Sequence, residues 1–363
     1  MSKKNLLIVI VLFFILLIIS FFVVKKENST WARGHFANKT PVLTKFDVNK
    51  VKKFRIYDAS NKMEILFKNG QWVIFNKSFY PANFQKIRKF ILKLKNMNIA
   101  QKVLINQNKL PALKLISPDK DSDKKGTGTV LELYDTSGNI INAIIFGKFH
   151  YAGEASSDAP LQQIAKDGRF LLTNSLKFPV LVSSPFLDAA PEPTLWLDKS
   201  FVNLTNIKMA SRIDKKGKTI WKIARKDEKS PFGIAGLKQG EIPLPRVMFQ
   251  ITSAFHKFDF KDVLTPDTPT SLTGLNSPDS FIYESCNGNK YKIDIASKNN
   301  KTYLKLTILK NTNMNKNNTS QVIPDSFYSK WIYEIPHYTA KNLIIDYDDM
   351  VKRKKNPISI MGQ

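Results

Sequence analysis

One succession of signals runs through this 363-residue chain twice, and any fold must accommodate both copies. In the first copy, residues 51–57 and 63–67 alternate apolar and polar side chains, and Asn69-Gly70 marks a tight turn into Gln71-Trp72-Val73-Ile74. A helix is predicted over 83–96, where Phe84, Ile87, Phe90, Ile91 and Leu94 share one face. The second copy opens at Phe201 and Val202, continues through Ile207, Met209 and Ile213, turns at Lys216-Gly217 and returns as Thr219 to Ile223 around Trp221. A helix over 246–256 follows.

The match continues beyond each helix. Leu115-Ile116-Ser117-Pro118-Asp119 answers Leu275-Asn276-Ser277-Pro278-Asp279, and each is followed by a strand pair. The pairs are 129–134 with 140–146 around Ser137-Gly138-Asn139, and 280–285 with 290–295 around Asn287-Gly288-Asn289. Proline lacks a backbone donor and fixes its own φ, while the flanking Ser and Asp bond local backbone, so Leu-x-Ser-Pro-Asp reads as a tight turn into a strand. Trp72 and Trp221 fall mid-strand among alternating apolar residues and are expected in the core, in matching places. Candidate motif residues are therefore Trp72, Ser117, Pro118 and Asp119 in one unit, and Trp221, Ser277, Pro278 and Asp279 in the other.

The second constraint is the run Leu6 to Val24, apolar except for Ser20, which as a helix spans roughly 28 Å at about 1.5 Å per residue. It is longer than a signal-peptide core and exits directly into Lys25 and Lys26, so it reads as an uncleaved anchor in the lipid bilayer. No second apolar run reaches spanning length, which puts the remaining chain on one side, expected to be the periplasm of a bacterial inner-membrane, single-pass protein. The expected class is α+β: an N-terminal transmembrane helix followed by two duplicated units of antiparallel sheet plus helix. The divisions are an anchor over 1–26, a linker over 27–45, a first unit over 46–190, a linker over 191–200, a second unit over 201–351 and a basic tail over 352–363.

Net charge is +26, but the positives are scattered among many asparagines rather than gathered into a stripe, so no nucleic-acid partner is expected. A single cysteine, Cys286, excludes an internal disulfide framework and a Cys-based metal cluster. Lys216-Gly217-Lys218-Thr219 imitates the end of a phosphate-binding loop, yet Arg212 stands where the loop needs its first glycine. There is no Gly-x-Ser-x-Gly elbow and no His-Glu-x-x-His pair, and the four histidines lack ligand spacing. Asp346, Asp348 and Asp349 could hold a metal in a glycosyltransferase, but they read better as the first turn of a terminal helix running into Lys352-Arg353-Lys354. No catalytic residue, cofactor or metal is expected.

Several short motifs stand in a suggestive order: Gly70-Gln71-Trp72-Val73-Ile74, Tyr80-Pro81-Ala82-Asn83, Phe146-Gly147-Lys148, Asp167-Gly168-Arg169-Phe170 and Trp196-Leu197-Asp198-Lys199. With the N-terminal anchor they resemble the bacterial envelope proteins grouped as domain of unknown function 4340. The resemblance covers residues 45 to 265 well and the rest more weakly. It implies a non-catalytic accessory role beside an ABC-type exporter of the gliding-auxiliary kind, with a permease or other envelope protein as partner. One departure concerns the turn before the proline motif, where the family's Tyr-Gly-Leu stands as Thr273-Gly274-Leu275 in the second unit and Leu113-Lys114-Leu115 in the first. The alternative class is a type II membrane enzyme or carbohydrate-binding module acting on polysaccharide or sugar-nucleotide substrates.

Overall fold

A computed structural model describes residues 40–119, 125–151, 165–202, 204–256, 258–310 and 325–353. The expected anchor at 6–24 lies outside them, and no helix among the described residues is long and apolar enough to cross a membrane. The protein is α+β and divides between Trp196 and Leu197 into two units, each built on one large antiparallel sheet.

In the first unit, strands β1 (Lys53–Tyr57), β2 (Lys62–Lys68), β3 (Gln71–Ile74) and β4 (Tyr80–Pro81) form a meander. Asn69 and Gly70 turn β2 into β3 with φ of 51° and 82°, the two positive values a two-residue hairpin needs. Helix α1 (Phe84–Lys95) starts where the Asn83 side chain accepts the Lys86 amide, and it buries Ile87, Phe90, Ile91 and Leu94. Its Phe90 ring meets Phe54 of β1 at 6.1 Å and Trp196 at 5.1 Å, so the helix closes the core over the middle of the sheet. Strands β5 (Gln101–Lys102), β6 (Thr129–Tyr134), β7 (Ile140–Tyr151), β8 (Lys166–Thr173) and β9 (Val180–Val182) complete it, in the order β4-β3-β2-β1-β6-β7-β8-β9-β5.

The second unit contains β10 (Ile207–Ile213), β11 (Thr219–Ala224), β12 (Gly233–Ile234), β13 (Glu241–Pro243), helix α2 (Pro245–Ser253) and β14 (Asp262–Leu264). After a short helix α3 (Thr270–Thr273) come β15 (Asp279–Ser285), β16 (Lys290–Lys298), β17 (Lys301–Lys310), α4 (Asp325–Tyr328), β18 (Ile332–Ile335), α5 (His337–Leu343) and β19 (Val351–Arg353). The sheet order is β12-β11-β10-β15-β16-β17-β18-β14, with β13 and β19 paired apart from it. Strand for strand this repeats β3-β2-β1-β6-β7-β8-β9-β5, including the strand after the helix that returns to the far edge. The two sheets therefore fit a duplicated unit.

The correspondence reaches hydrogen-bond register. The turn Asp135–Asn139 closes by Asp135 N to Asn139 O and Gly138 N to Asp135 O; Ser285–Asn289 closes by the same two bonds, at 2.9 and 3.0 Å. Arg169 opposes Val182 across β8 and β9, and Thr302 opposes Ile335 across β17 and β18, with Leu171–Val180 and Leu304–Tyr333 following.

Several expectations need correction. Trp72 and Trp221 are not equivalent, because Trp72 lies on the third strand of its meander and Trp221 on the second. Register places Met63 of β2 where Trp221 stands in β11, since Ile56 opposes Met63 and Leu131 while Arg212 opposes Trp221 and Phe281. Asp346 to Lys354 do not begin a helix: a single 3-10 turn (Tyr347–Met350) leads into β19, whose backbone is captured by β13. Lys352 and Arg353 thus belong to the second unit rather than to a tail. At the other end, residues 40–45 are not a free linker, because the Val42 amide donates to Met97 O and the Ile99 amide to Thr40 O. Trp196, placed in the linker, is fully buried in the first core.

The β13–β19 contact is held by Glu241. Its carboxylate accepts from the Tyr347 hydroxyl at 2.7 Å, the Lys238 amide at 3.0 Å and Arg353 Nε at 3.3 Å, and these bonds, the tyrosine first, hold it below the usual carboxylate range. A depressed folded value means that the stabilisation is present above about pH 4.3, the unfolded value, and is lost as pH falls through the folded one. Amide exchange of Val351–Arg353, corrected for intrinsic rates, is expected to accelerate in that acid window. Glu241→Gln should remove the pH dependence; an unchanged profile in that variant would refute the assignment.

Candidate functional site

Each Ser-Pro-Asp motif serves its own sheet. Asp119 Oδ2 accepts from the Tyr57 hydroxyl at 2.7 Å, and Asp279 Oδ1 accepts from Arg212 Nη2 at 3.0 Å, so both aspartates tie the motif back to the first strand of their unit. Ser117 and Pro118 follow a 3-10 turn (Gln107–Leu113), while Ser277 and Pro278 follow α3. The residues before the motif leucine share one conformation: Lys114 has φ 56° and Gly274 φ 79°. The residue differs between the two units but the left-handed turn does not. Under that turn the sheet carries a small residue in both units. An ideal Cβ on Gly147 would fall 2.3 Å from Leu113 O, and one on Gly274 lies 3.4 Å from Ala296 Cβ. The motif residues are therefore fold-closing, and the structure does not gather them with the tryptophans into one site.

Two features were not read from the sequence. The first is a polar network across β2, β1 and β6, at alternate positions of three neighbouring strands. Arg55 donates to Glu64 at 2.8 Å and to Glu132 at 3.4 Å, and Glu132 also accepts from the hydroxyls of Tyr57, at 3.2 Å, and Tyr134. Arg55 with Lys53 and Lys62 holds the Glu64 carboxyl below its ordinary range although burial opposes this. Burial and the neighbouring carboxylates push both tyrosines above their ordinary value. The Glu64 carboxylate thus faces the Arg55 guanidinium, and neither Glu64 nor the two tyrosines is poised near neutrality as a general acid or base. Among the described residues, no three His, Cys, Asp or Glu side chains group as a metal site.

The second is an aromatic groove of about 390 Å³ between the β2–β3 hairpin and α1. Trp72 is half-buried in it, with its ring 5.7 Å from Phe67, and Ile87 and Ile91 form the buried floor. Phe67, Phe84 and Leu92 stand 41%, 55% and 38% exposed. Lys52 lies 5.1 Å from the Phe67 ring centre, and Arg88 completes a basic rim. Trp221 differs: it is 2% exposed and donates its indole N–H to Ile345 O at 2.8 Å, as a core residue does. In α1, Phe84 was expected on the buried face; at the first helical position it points into this groove instead.

Comparison of the chain with protein-family models, with curated proteins and with solved structures finds no match.

Proposed function

We propose that the chain is a membrane-anchored accessory protein of the bacterial periplasm, held to the inner membrane by residues 6–24 and acting by binding rather than catalysis. Its partner on this reading is an integral-membrane subunit of an ABC-type exporter, of the gliding-auxiliary kind that the motif resemblance implies. The observation that supports it best is the aromatic groove. Contiguous exposed apolar surface costs solubility and is kept where something covers it, and a half-buried tryptophan above an aliphatic floor suits an inserted apolar side chain. The Lys52 and Arg88 rim favours a partner segment whose apolar residues are followed by acidic ones.

The test is site-specific photo-crosslinking in membranes, with the photoreactive residue at Phe84 and, as control, at exposed Lys216 in a hairpin turn of the other unit. An adduct at position 84 alone, identified by mass spectrometry as a polytopic exporter subunit, is the expected result. A reporter fused after Gln363 should be active only outside the cytoplasm. Equal labelling at both positions, no adduct, or cytoplasmic reporter activity would remove the proposal. A glycan adduct at position 84 would instead move it to a carbohydrate-binding module.

A further inference from the structure

The first unit also holds a cleft of about 590 Å³ where the β1–β2 turn approaches β6, β7 and β8. At its base lies Arg169, 6% exposed, with Nε donating to Gly147 O and Nη1 to Phe186 O, each at 3.0 Å. The guanidinium sits against the rings of Phe146 and Phe149, at 5.1 and 4.5 Å from their centres. Among the described residues no carboxylate pairs with it, and Nη2 has no protein acceptor and is not sealed from the cleft. Burial draws its pKa down to about 10, which leaves it cationic at neutral pH. Carbonyl dipoles and ring faces offset only part of the cost of burying such a charge.

Closing the fold does not require that charge. The register equivalent of Arg169 in the second unit is Thr302, a buried neutral residue bonded to Ser297 at 3.0 Å and His337 at 3.2 Å. The rest of the cleft is also biased to one sign. Lys114 and Lys148 line it as exposed residues, and Asp58, the carboxylate among its lining residues, spends one oxygen on the amides of Ser60 and Asn61, both at 2.8 Å.

We propose that this cleft binds a phosphate-monoester anion, with Arg169 Nη2 donating from the base, Lys114 and Lys148 supplying charge at the opening, and Phe149 and Tyr151 covering the attached organic group. A doubly charged oxyanion matches three cations against one occupied carboxylate, and charge-assisted bonds in a sheltered site are the strong ones. The site is independent of the aromatic groove and of the partner assigned to it. The phosphate could belong to a soluble ester or to a lipid headgroup.

Calorimetric titration of the detergent-solubilised full chain with phenyl phosphate, and separately with dihexanoyl phosphatidic acid, distinguishes these sources. Saturable one-site binding of at least one is expected, with none for phenol. Arg169→Gln and Lys148→Glu should each weaken it about tenfold or more, while Lys216→Glu, the same charge change in the other unit, should leave it unaltered. Lys148 is exposed, so its variant keeps the fold and decides the matter even where Arg169→Gln does not fold. Absence of binding by both phosphates, equal binding of phenol, or parental affinity in Lys148→Glu would overturn the proposal.

Discussion

Replacing Trp221 by alanine is expected to destabilise the second unit by about 3 to 5 kcal/mol, the range for deleting a large aromatic from a closed core. The side chain is almost fully buried, meets Phe281 at 6.4 Å between ring centres and satisfies Ile345 O through its indole nitrogen. Trp72→Ala should cost the first unit less than half as much, because one side of that ring already faces solvent and little new cavity forms. Denaturant unfolding followed by circular dichroism measures both, and two sheets that melt separately would give two transitions, of which each variant moves one. Equal losses would show that Trp72 is as much a core residue as Trp221 and would remove the groove as a binding surface.

Asp279→Asn should destabilise by a similar amount, about 3 to 5 kcal/mol, because it strands a buried charge. Arg212 has a side chain only 10% exposed, with Nη2 on Asp279, Nη1 on Asp346 at 2.6 Å and on Ile345 O at 2.9 Å, and a buried Nε without a partner. The Asp346 carboxylate is 75% exposed, so it is a weak substitute for the lost one. Arg212→Met deletes one charge and the orphan Nε but strands the Asp279 carboxylate, 15% exposed, in turn, so the double variant, which leaves neither charge, should cost less than the sum of the two single variants. The Ile345 carbonyl keeps its Trp221 donor in that variant. Thermal melts of both single variants and the double variant decide this. A double variant that loses the full sum of the two single losses would mean that the stranded charge is not what makes either single variant costly.

Much of the architecture was legible because it is written locally. Asn69-Gly70, Ser137-Gly138-Asn139, Lys216-Gly217 and Asn287-Gly288-Asn289 all turn strands as their chemistry requires, and Asn83 caps a helix whose buried face was read nearly whole. The false pairing of Trp72 with Trp221 arose because β12 has only two residues, too few to leave an alternation, so the third strand of the second meander went uncounted. The misread segment after Asp346 has the composition of a helix start, but β13, 110 residues upstream by the Glu241–Val351 separation, supplies a strand partner that no local pattern reveals. The candidate sites were less legible still. Arg55 and Glu64 face each other across one hairpin but Glu132 joins them from a strand 77 residues away, and Arg169 looks like any hairpin residue until no carboxylate among the described residues proves to pair with it. Trp72 alone carried a signal, and it was read as core because an alternating strand does not tell which of its neighbours stop short of covering it.

The far edge of each sheet carries a timing requirement. Strand β14 pairs with β18 alone, so Asp262–Leu264 wait for Ile332–Ile335 to emerge before they have a neighbour, whereas β5 needs only β9. A chain made from its N-terminus can therefore finish the first sheet with the second still open, and the second stays open until nearly its last strand. Until then β17 and β14 both offer unpaired backbone, the condition in which strands find the wrong neighbour. A stop codon between residues 265 and 331 would leave an intact first unit joined to a sticky half-sheet, so late truncations should be selected against as strongly as early ones.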